Sequence, residues 1–356
     1  MTFVSTLDRY IARVVLTSTL LVFGVILALL IFIFVIDSMP EYGRGNFFAY
    51  ELAKFVLLSQ PRRIYEVLPV MALIGTTIGL STLALSSELT AMRAAGMAAG
   101  RIVYAALKVG ALFAVIGVLL GEFIVPVSED LAQTERASAL QVGLHQHRSG
   151  VWLRDGAQFV NIGEVLPDKT LLRLKIYGFD QNGQLREQLS AARARFSQDA
   201  WQLEEVRRVA VGFEGVKVTT ERLLPWYSEI APNVVEVFAR RPESLSAVQL
   251  WRYIDHLRQN GLDTTRFRLS FWQKIFAPIA TLVMVLLATP FVFGPVRSGG
   301  MGQRLFVGIV IGILFMVMAR LFGLLGVVYG MPPLLSAALP VALFFGVAIL
   351  LLRRVT

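Results

Sequence analysis

Six stretches of this 356-residue chain are long and apolar enough to cross a bilayer as helices, and no other feature constrains the fold as strongly. A helix rises about 1.5 Å per residue, so a hydrocarbon layer of about 30 Å needs roughly 20 apolar residues. The stretches occupy residues 14–36, 64–85, 102–125, 271–293, 305–328 and 334–352, and a polar segment, 126–270, separates the third from the fourth. The pattern predicts a membrane α-helical protein of six transmembrane helices, three plus three, with a soluble domain inserted between the halves. Arg9 and Arg13 precede the first stretch as they would a signal peptide. The apolar run is too long for that, and no small-x-small cleavage site follows, so it reads as an anchor.

Composition excludes the alternatives. Hydrophobic residues make up 55% of the chain and charged residues 17%, with a mean hydropathy of +0.63. Neither a single water-soluble globule, which carries about 25% charged residues, nor a solvated coil has such a balance. The formal charge of +9 would point to nucleic acid on a soluble chain. On a membrane chain it points to cytoplasmic loops and anionic lipid, and no nucleic-acid recognition motif is present. Cysteine is absent, so disulfides, thiolate metal sites and cysteine nucleophiles are excluded.

Loop charges set an expected orientation. With the N-terminus inside, the cytoplasmic side carries Arg9, Arg13, Arg93, Arg101, Arg297, Arg304, Arg353 and Arg354, against Arg44, Lys54, Arg62 and Arg63 opposite. Both termini are then cytoplasmic, and the polar segment lies across the membrane.

That segment reads as all-β. In 172–177, Leu172, Leu174 and Ile176 alternate with Arg173, Lys175 and Tyr177, as a half-buried strand requires. Similar runs occur at 157–162, 192–196, 206–211 and 216–220, with turn signals at Asp155-Gly156, Asn182-Gly183 and Ser197-Gln198-Asp199. Short strands at this spacing predict a sandwich or jelly roll. A roll that does not close leaves strand edges on which a partner can add a strand. The face of Leu172, Leu174 and Ile176 would then line a lipid path or fill a packed core. A helix follows at about 246–260, with Leu250, Ile254 and Leu257 on one face and Gly261 at its end.

Catalytic signals are thin. No G-x-x-x-x-G-K-[ST] occurs, so any ATP must be hydrolysed by another subunit. His145 and His147 form an H-x-H pair without a nearby third ligand, Glu204-Glu205 reads as solvated, and no nucleophile elbow appears. The chain reads as a non-catalytic transmembrane subunit with no cofactor and no metal.

Three groups of residues remain. The loop between the second and third stretches holds Glu88, Leu89, Met92, Arg93 and Gly96 on a short amphipathic helix, either a connector or a segment that docks into a partner's groove. On the opposite rim, Arg62, Arg63, Arg136, Arg266, Arg268 and Lys274 are either snorkelling anchors or contacts for an anionic, phosphorylated lipid. Arg320, inside the fifth stretch, and Glu122, near the outer end of the third, are functional candidates or a structural pair.

The layout resembles the LptF/LptG family of lipopolysaccharide export permeases, and its LptG branch most. The residues that carry the likeness are Leu7-Asp8-Arg9-Tyr10-Ile11, Ser87-Glu88-Leu89 with Met92 and Gly96, and Gly121-Glu122 with Pro126. Phe291-x-Phe293-Gly294-Pro295-x-Arg297-Ser298 and Tyr329-Gly330-x-Pro332-Pro333 extend it over essentially the whole chain. The resemblance implies an inner-membrane half-transporter paired with an LptF-like sister permease and powered by two LptB-like ATPase subunits. It also implies a bridge through LptC-like and LptA-like periplasmic β-jellyroll proteins that carries lipopolysaccharide towards the outer membrane. It divides the chain into helices 1–3 over 1–125 with a coupling helix at about 87–96, a periplasmic β-jellyroll-like domain over 126–270, and helices 4–6 over 271–356. It assigns ATPase coupling to Glu88, Leu89, Met92 and Arg93, and lipid handling to Arg136, with Arg62, Arg63, Lys274 and Arg320 as further candidates. Where the family carries lysines late in the first span and just after it, this chain has Phe34, Pro40 and Glu41, so phosphate contacts there fall to other residues. A different class of reading is a membrane-anchored adaptor or sensor without transport. An ion-coupled carrier would need paired acidic sites at the midplane, and only Arg320 is found there.

Overall fold

The computed structural model describes residues 6–140, 145–147, 150–156, 158–165, 169–180, 184–197, 200–212, 215–228, 230, 232, 235, 242–259, 263–293 and 300–354. Nine helices are described here: α1 (Thr6–Ser38), α2 (Ala49–Leu85), α3 (Glu88–Ala94), α4 (Ala99–Leu119), α5 (Val125–Ala139), α6 (Ala247–Gln259), α7 (Thr265–Phe293), α8 (Met301–Val328) and α9 (Pro333–Arg353). Six helical stretches among the described residues are long and apolar enough to cross a membrane, and seven strands are inserted between the third and fourth of them. The fold class is therefore the one the hydropathy pattern predicts. Asn182-Gly183, Gln198-Asp199, Asn260-Gly261 and the Gly294–Ser298 part of the Phe291 motif lie outside the described residues, as do the side chains of His145, His147 and His256.

The chain divides into two compact units. The first comprises Met1–Ile36, Ser59–Glu129 and Pro242–Thr356, and the second Asp37–Leu58 and Asp130–Arg241.

In the first unit α1 and α2 pack closely through small residues. Gly75-Thr76-Thr77-Ile78-Gly79 is a G-x-x-x-G run, the spacing that lets two membrane helices approach backbone to backbone. A Cβ on Gly75 would fall on the backbone and side chain of Thr19, and one on Gly79 would lie 2.9 Å from the Val15 Cα. This run is a legible sequence signal that the apolar-length reading passes over.

The junction between α4 and α5 has a local cause. Pro126 has no N–H and would clash with the carbonyl four residues back, so a regular helix cannot run through it. Residues Leu120–Ile124 instead take a π turn, in which the Val125 N–H donates to the Leu120 carbonyl, five residues back. The Gly121 carbonyl is thereby released from its helical partner. The buried Lys274 ammonium of α7 donates to it at 2.8 Å.

In the second unit the strands are β1 (His145–His147), β2 (Gly150–Asp155), β3 (Gln158–Val165), β4 (Leu171–Phe179), β5 (Leu185–Ser197), β6 (Ala200–Gly212) and β7 (Gly215–Trp226). They form one antiparallel sheet in sequence order. Gly156, at φ +56°, makes the turn that Asp155-Gly156 signals. In β3 to β6 the core-facing positions are Val160, Ile162 and Val165; Leu171, Leu174 and Ile176; Leu189, Ala191 and Ala194; and Trp201, Leu203 and Val206. Each set contains one step of three residues instead of two. The breaks align across the sheet at Gly163, Arg173, Ala192 and Glu205, and Arg173 and Glu205 have φ of +51° and +55°. A re-phased residue in each of four adjacent strands makes a crease, which bends a sheet more sharply than ordinary twist. The bend is deep enough that the Trp226 indole N–H of β7 donates to Gln158 of β3 at 3.2 Å. On a flat sheet those strands would be about 19 Å apart. The sheet is thus a roll around one core, in which β1 and β7 do not pair among the described residues.

Candidate functional site

The loop after α2 folds into a mounted helix. Ser87 takes φ 61°, an uncommon conformation for a residue with a Cβ, and turns the chain sharply into α3. At the other end Gly96 takes φ +88°, its N–H bonds the Arg93 carbonyl and the Met97 N–H bonds the Met92 carbonyl. This is a Schellman cap, so Gly96 is needed for its left-handed backbone. Leu89 and Met92 are 4% and 8% exposed and pack with Ile11, Val15, Leu83 and Ile102. Their side chains hold α3 to its own bundle, and other residues of the helix carry its outward surface. The outward face consists of Thr90, Ala91, Arg93 and Ala94, with Glu88 half-buried at the start.

The N-terminal motif supplies the mount. Asp8 is buried and accepts from the Arg101 guanidinium at 3.0 Å, with Lys108 3.9 Å away. Ile11 is fully buried in the same cluster. The Tyr10 hydroxyl donates to Glu88 Oε2 at 2.7 Å, and the Ser86 hydroxyl donates to Glu88 Oε1 at 2.9 Å. Asp8, Tyr10 and Ile11 of the N-terminal motif therefore make contacts to α3 and α4 that no local periodicity reveals.

Four of the basic candidates are engaged within the chain. Arg62 lies 3.0 Å from Glu66, 3.6 Å from Glu129 and 3.8 Å from Glu243. Arg63 stacks on the Phe34 ring, 3.7 Å from its centroid. Lys274 is buried, bound to the Gly121 carbonyl and 5.2 Å from the centre of the Tyr65 ring. In the second unit Arg136 makes a two-pronged pair with Glu41 and lies 5.2 Å from the centre of the Phe55 ring. Arg266, Arg268 and Arg320 are exposed. An Arg320–Glu122 pair does not form among the described residues. Both oxygens of Glu122 instead accept the Ala247 N–H, at 2.9 and 3.0 Å, at the start of α6. There Ser246 and Gln249 bond each other's backbone N–H reciprocally, a capping box.

The departures at Phe34 and Glu41 thus sit opposite two of the candidate cations. Sequence reasoning passed over Glu129 and Glu243, since neither lies in a motif and only the fold brings them to Arg62. In the β domain Leu174 and Ile176 belong to the core. Leu172 is buried outside that cluster and Leu171 takes its place, because the crease at Arg173 shifts the alternation by one.

The family described as "Lipopolysaccharide export system permease LptF/LptG" matches residues 9–354. Among similar proteins, the lipopolysaccharide export system permease protein LptG of Escherichia coli (strain K12) is 34% identical over 358 residues, covering 98% of both chains. The protein of the same name from Haemophilus influenzae is 34% identical over 354 residues, covering 99% of both.

Proposed function

The chain belongs to the LptF/LptG family of lipopolysaccharide export permeases, and from that premise we propose that it is one half of an ATP-driven exporter that extracts lipopolysaccharide from the inner membrane. As a member it is a multi-pass inner-membrane permease subunit, and ATP hydrolysis belongs to a separate subunit. It pairs with an LptF-like sister, two LptB-like ATPase subunits drive it, and LptC-like and LptA-like proteins receive the lipid. Both termini are cytoplasmic and the β roll is periplasmic.

The observation that carries this reading is α3. A seven-residue helix, capped by Gly96 and pinned by Leu89 and Met92, presents a narrow face of Thr90, Ala91, Arg93 and Ala94. Such a face suits a groove on a partner, and its rigid seat lets force pass into α1 and α4. Glu88 and Arg93 supply the charges at that contact. Lipid phosphates are met by arginines that give up their internal carboxylates, and acyl chains follow the concave face of the roll past Leu174 and Ile176.

The experiment is co-purification with the ATPase subunits, with Glu88→Lys and Arg93→Glu compared with the parent. Losing one side of an interface charge contact typically costs about 2–5 kcal/mol. Charge reversal therefore reduces assembly or uncouples hydrolysis from lipid release. Full assembly and transport in both variants would refute docking through α3.

A further inference from the structure

Nothing within α3 fixes the carboxylate that opens it. Its N-cap residue, Ser87, makes no side-chain capping bond and takes a left-handed backbone. A glutamate side chain with three rotatable bonds would sample many positions there. It is held instead from two sides, by the Ser86 hydroxyl on Oε1 and by the Tyr10 hydroxyl on Oε2. The Tyr10 contact crosses 78 residues of sequence.

Tyr10 is itself on a firm base. Two residues before it, buried Asp8 is paired with Arg101, and the next residue, Ile11, is fully buried against Leu89 and Met92. The turn of α1 that carries Tyr10 is thus seated on both sides, and the exposed ring reaches out to Glu88. Its O–H···O⁻ bond is charge-assisted, of the kind that fixes geometry as well as adding energy. A carboxylate has about four lone-pair sites, so two remain for a cation on a partner.

We infer that the Tyr10 hydroxyl is a positioning group that aims the Glu88 carboxylate, so that α1 sets the pose in which α3 meets the ATPase. The inference rests on the α3 docking reading above. Tyr10 touches neither lipid nor nucleotide; it acts through Glu88.

A double-mutant cycle in the assembled exporter, reconstituted in vesicles, tests this. The parent, Tyr10→Phe, Glu88→Ala and the double variant are compared for glycolipid released per ATP hydrolysed. Tyr10→Phe keeps the ring and removes only the hydroxyl. Loss of one such hydrogen bond should lower the coupling ratio about threefold to tenfold, with assembly retained. In the Glu88→Ala background, Tyr10→Phe should add no further loss, since its target is gone. Tyr10→Phe equal to the parent overturns the inference, and so do losses that multiply in the double variant. Failure of Tyr10→Phe to assemble where Glu88→Ala assembles overturns it as well. The docking reading is checked separately. The chain has no cysteine, so Ala91→Cys is a single chemical handle on the outward face. Crosslinking from Ala91→Cys to the ATPase is expected, and its absence would sink the docking reading whatever the cycle gives.

Discussion

Arg136 grips Glu41 with two guanidinium nitrogens across 95 residues of sequence, its Nε lying 2.8 Å from Glu41 Oε2. The centre of the Phe55 ring lies 5.2 Å from the guanidinium carbon. Removing the carboxylate while keeping its shape, as Glu41→Gln does, leaves Arg136 without an internal counter-charge. Photo-crosslinking of glycolipid beside Arg136 should then increase. Neutralising Arg136 together with Arg63 should weaken it and leave ATPase assembly unchanged. A pair like this, only partly buried, contributes on the order of 1–2 kcal/mol. Unchanged crosslinking in both variants would show that the pair is structural only.

Arg62 should matter more to stability than its neighbour Arg63. Three carboxylates surround it, and the Glu129 side chain is only 6% exposed. Arg62→Ala removes a cation shared by three carboxylates, one of them buried, at a cost of about 3 kcal/mol. Arg63→Ala loses its stacking on Phe34, about 1 kcal/mol. Thermal unfolding of the purified complex in detergent should rank them in that order, and the reverse order would refute the clamp.

Lys274 and Pro126 should be coupled. Lys274→Met leaves the Gly121 carbonyl buried without a donor, at a cost of about 1–3 kcal/mol. Pro126→Ala restores a backbone N–H and lets the π turn close as regular helix. The double variant should therefore be less destabilised than the sum of the two single variants. Strict additivity in a denaturation cycle would break the link between the π turn and the lysine.

Asp263 predicts a pH effect outside the membrane spans. The Thr265 hydroxyl, at 2.6 Å, and the Thr265 N–H, at 2.9 Å, hold its carboxyl below the ordinary carboxylate range. A depressed folded-state value means that the stabilisation is full above about pH 4 and is lost as the pH falls through the lowered value. Asp263→Ala should cost about 1 kcal/mol at pH 7, as loss of a helix N-cap does, and nothing once the parent carboxyl is protonated. A gap between parent and variant that persists at the acid end of the series would contradict this.

A photo-crosslinker at Ile176 addresses the path through the roll. Among the described residues β1 and β7 do not pair, and the inner face carries Ile176 among Val160, Ile162 and Leu189. In an actively transporting complex, glycolipid should be captured there. Adducts only to neighbouring core residues would make the roll a packed support.

The sequence alone determined the number of spans, the 3+3 layout and the β character of the insert. Run length and two-residue alternation are local properties, and the bilayer and the pleat read them directly. It also marked Tyr10, Glu88, Gly96, Gly121 and Pro126 as worth explaining. The tertiary structure decided what those residues touch. That Arg136 pairs with Glu41, that Met92 joins the cluster of Ile102, and that Leu171 rather than Leu172 enters the core depend on approaches between distant segments and on one re-phased residue in each of β3 to β6. Charge and apolarity reveal that a side chain needs a counterpart. Only the packed chain selects which one, because an ion pair or a core contact is decided over a few ångströms that sequence spacing does not encode.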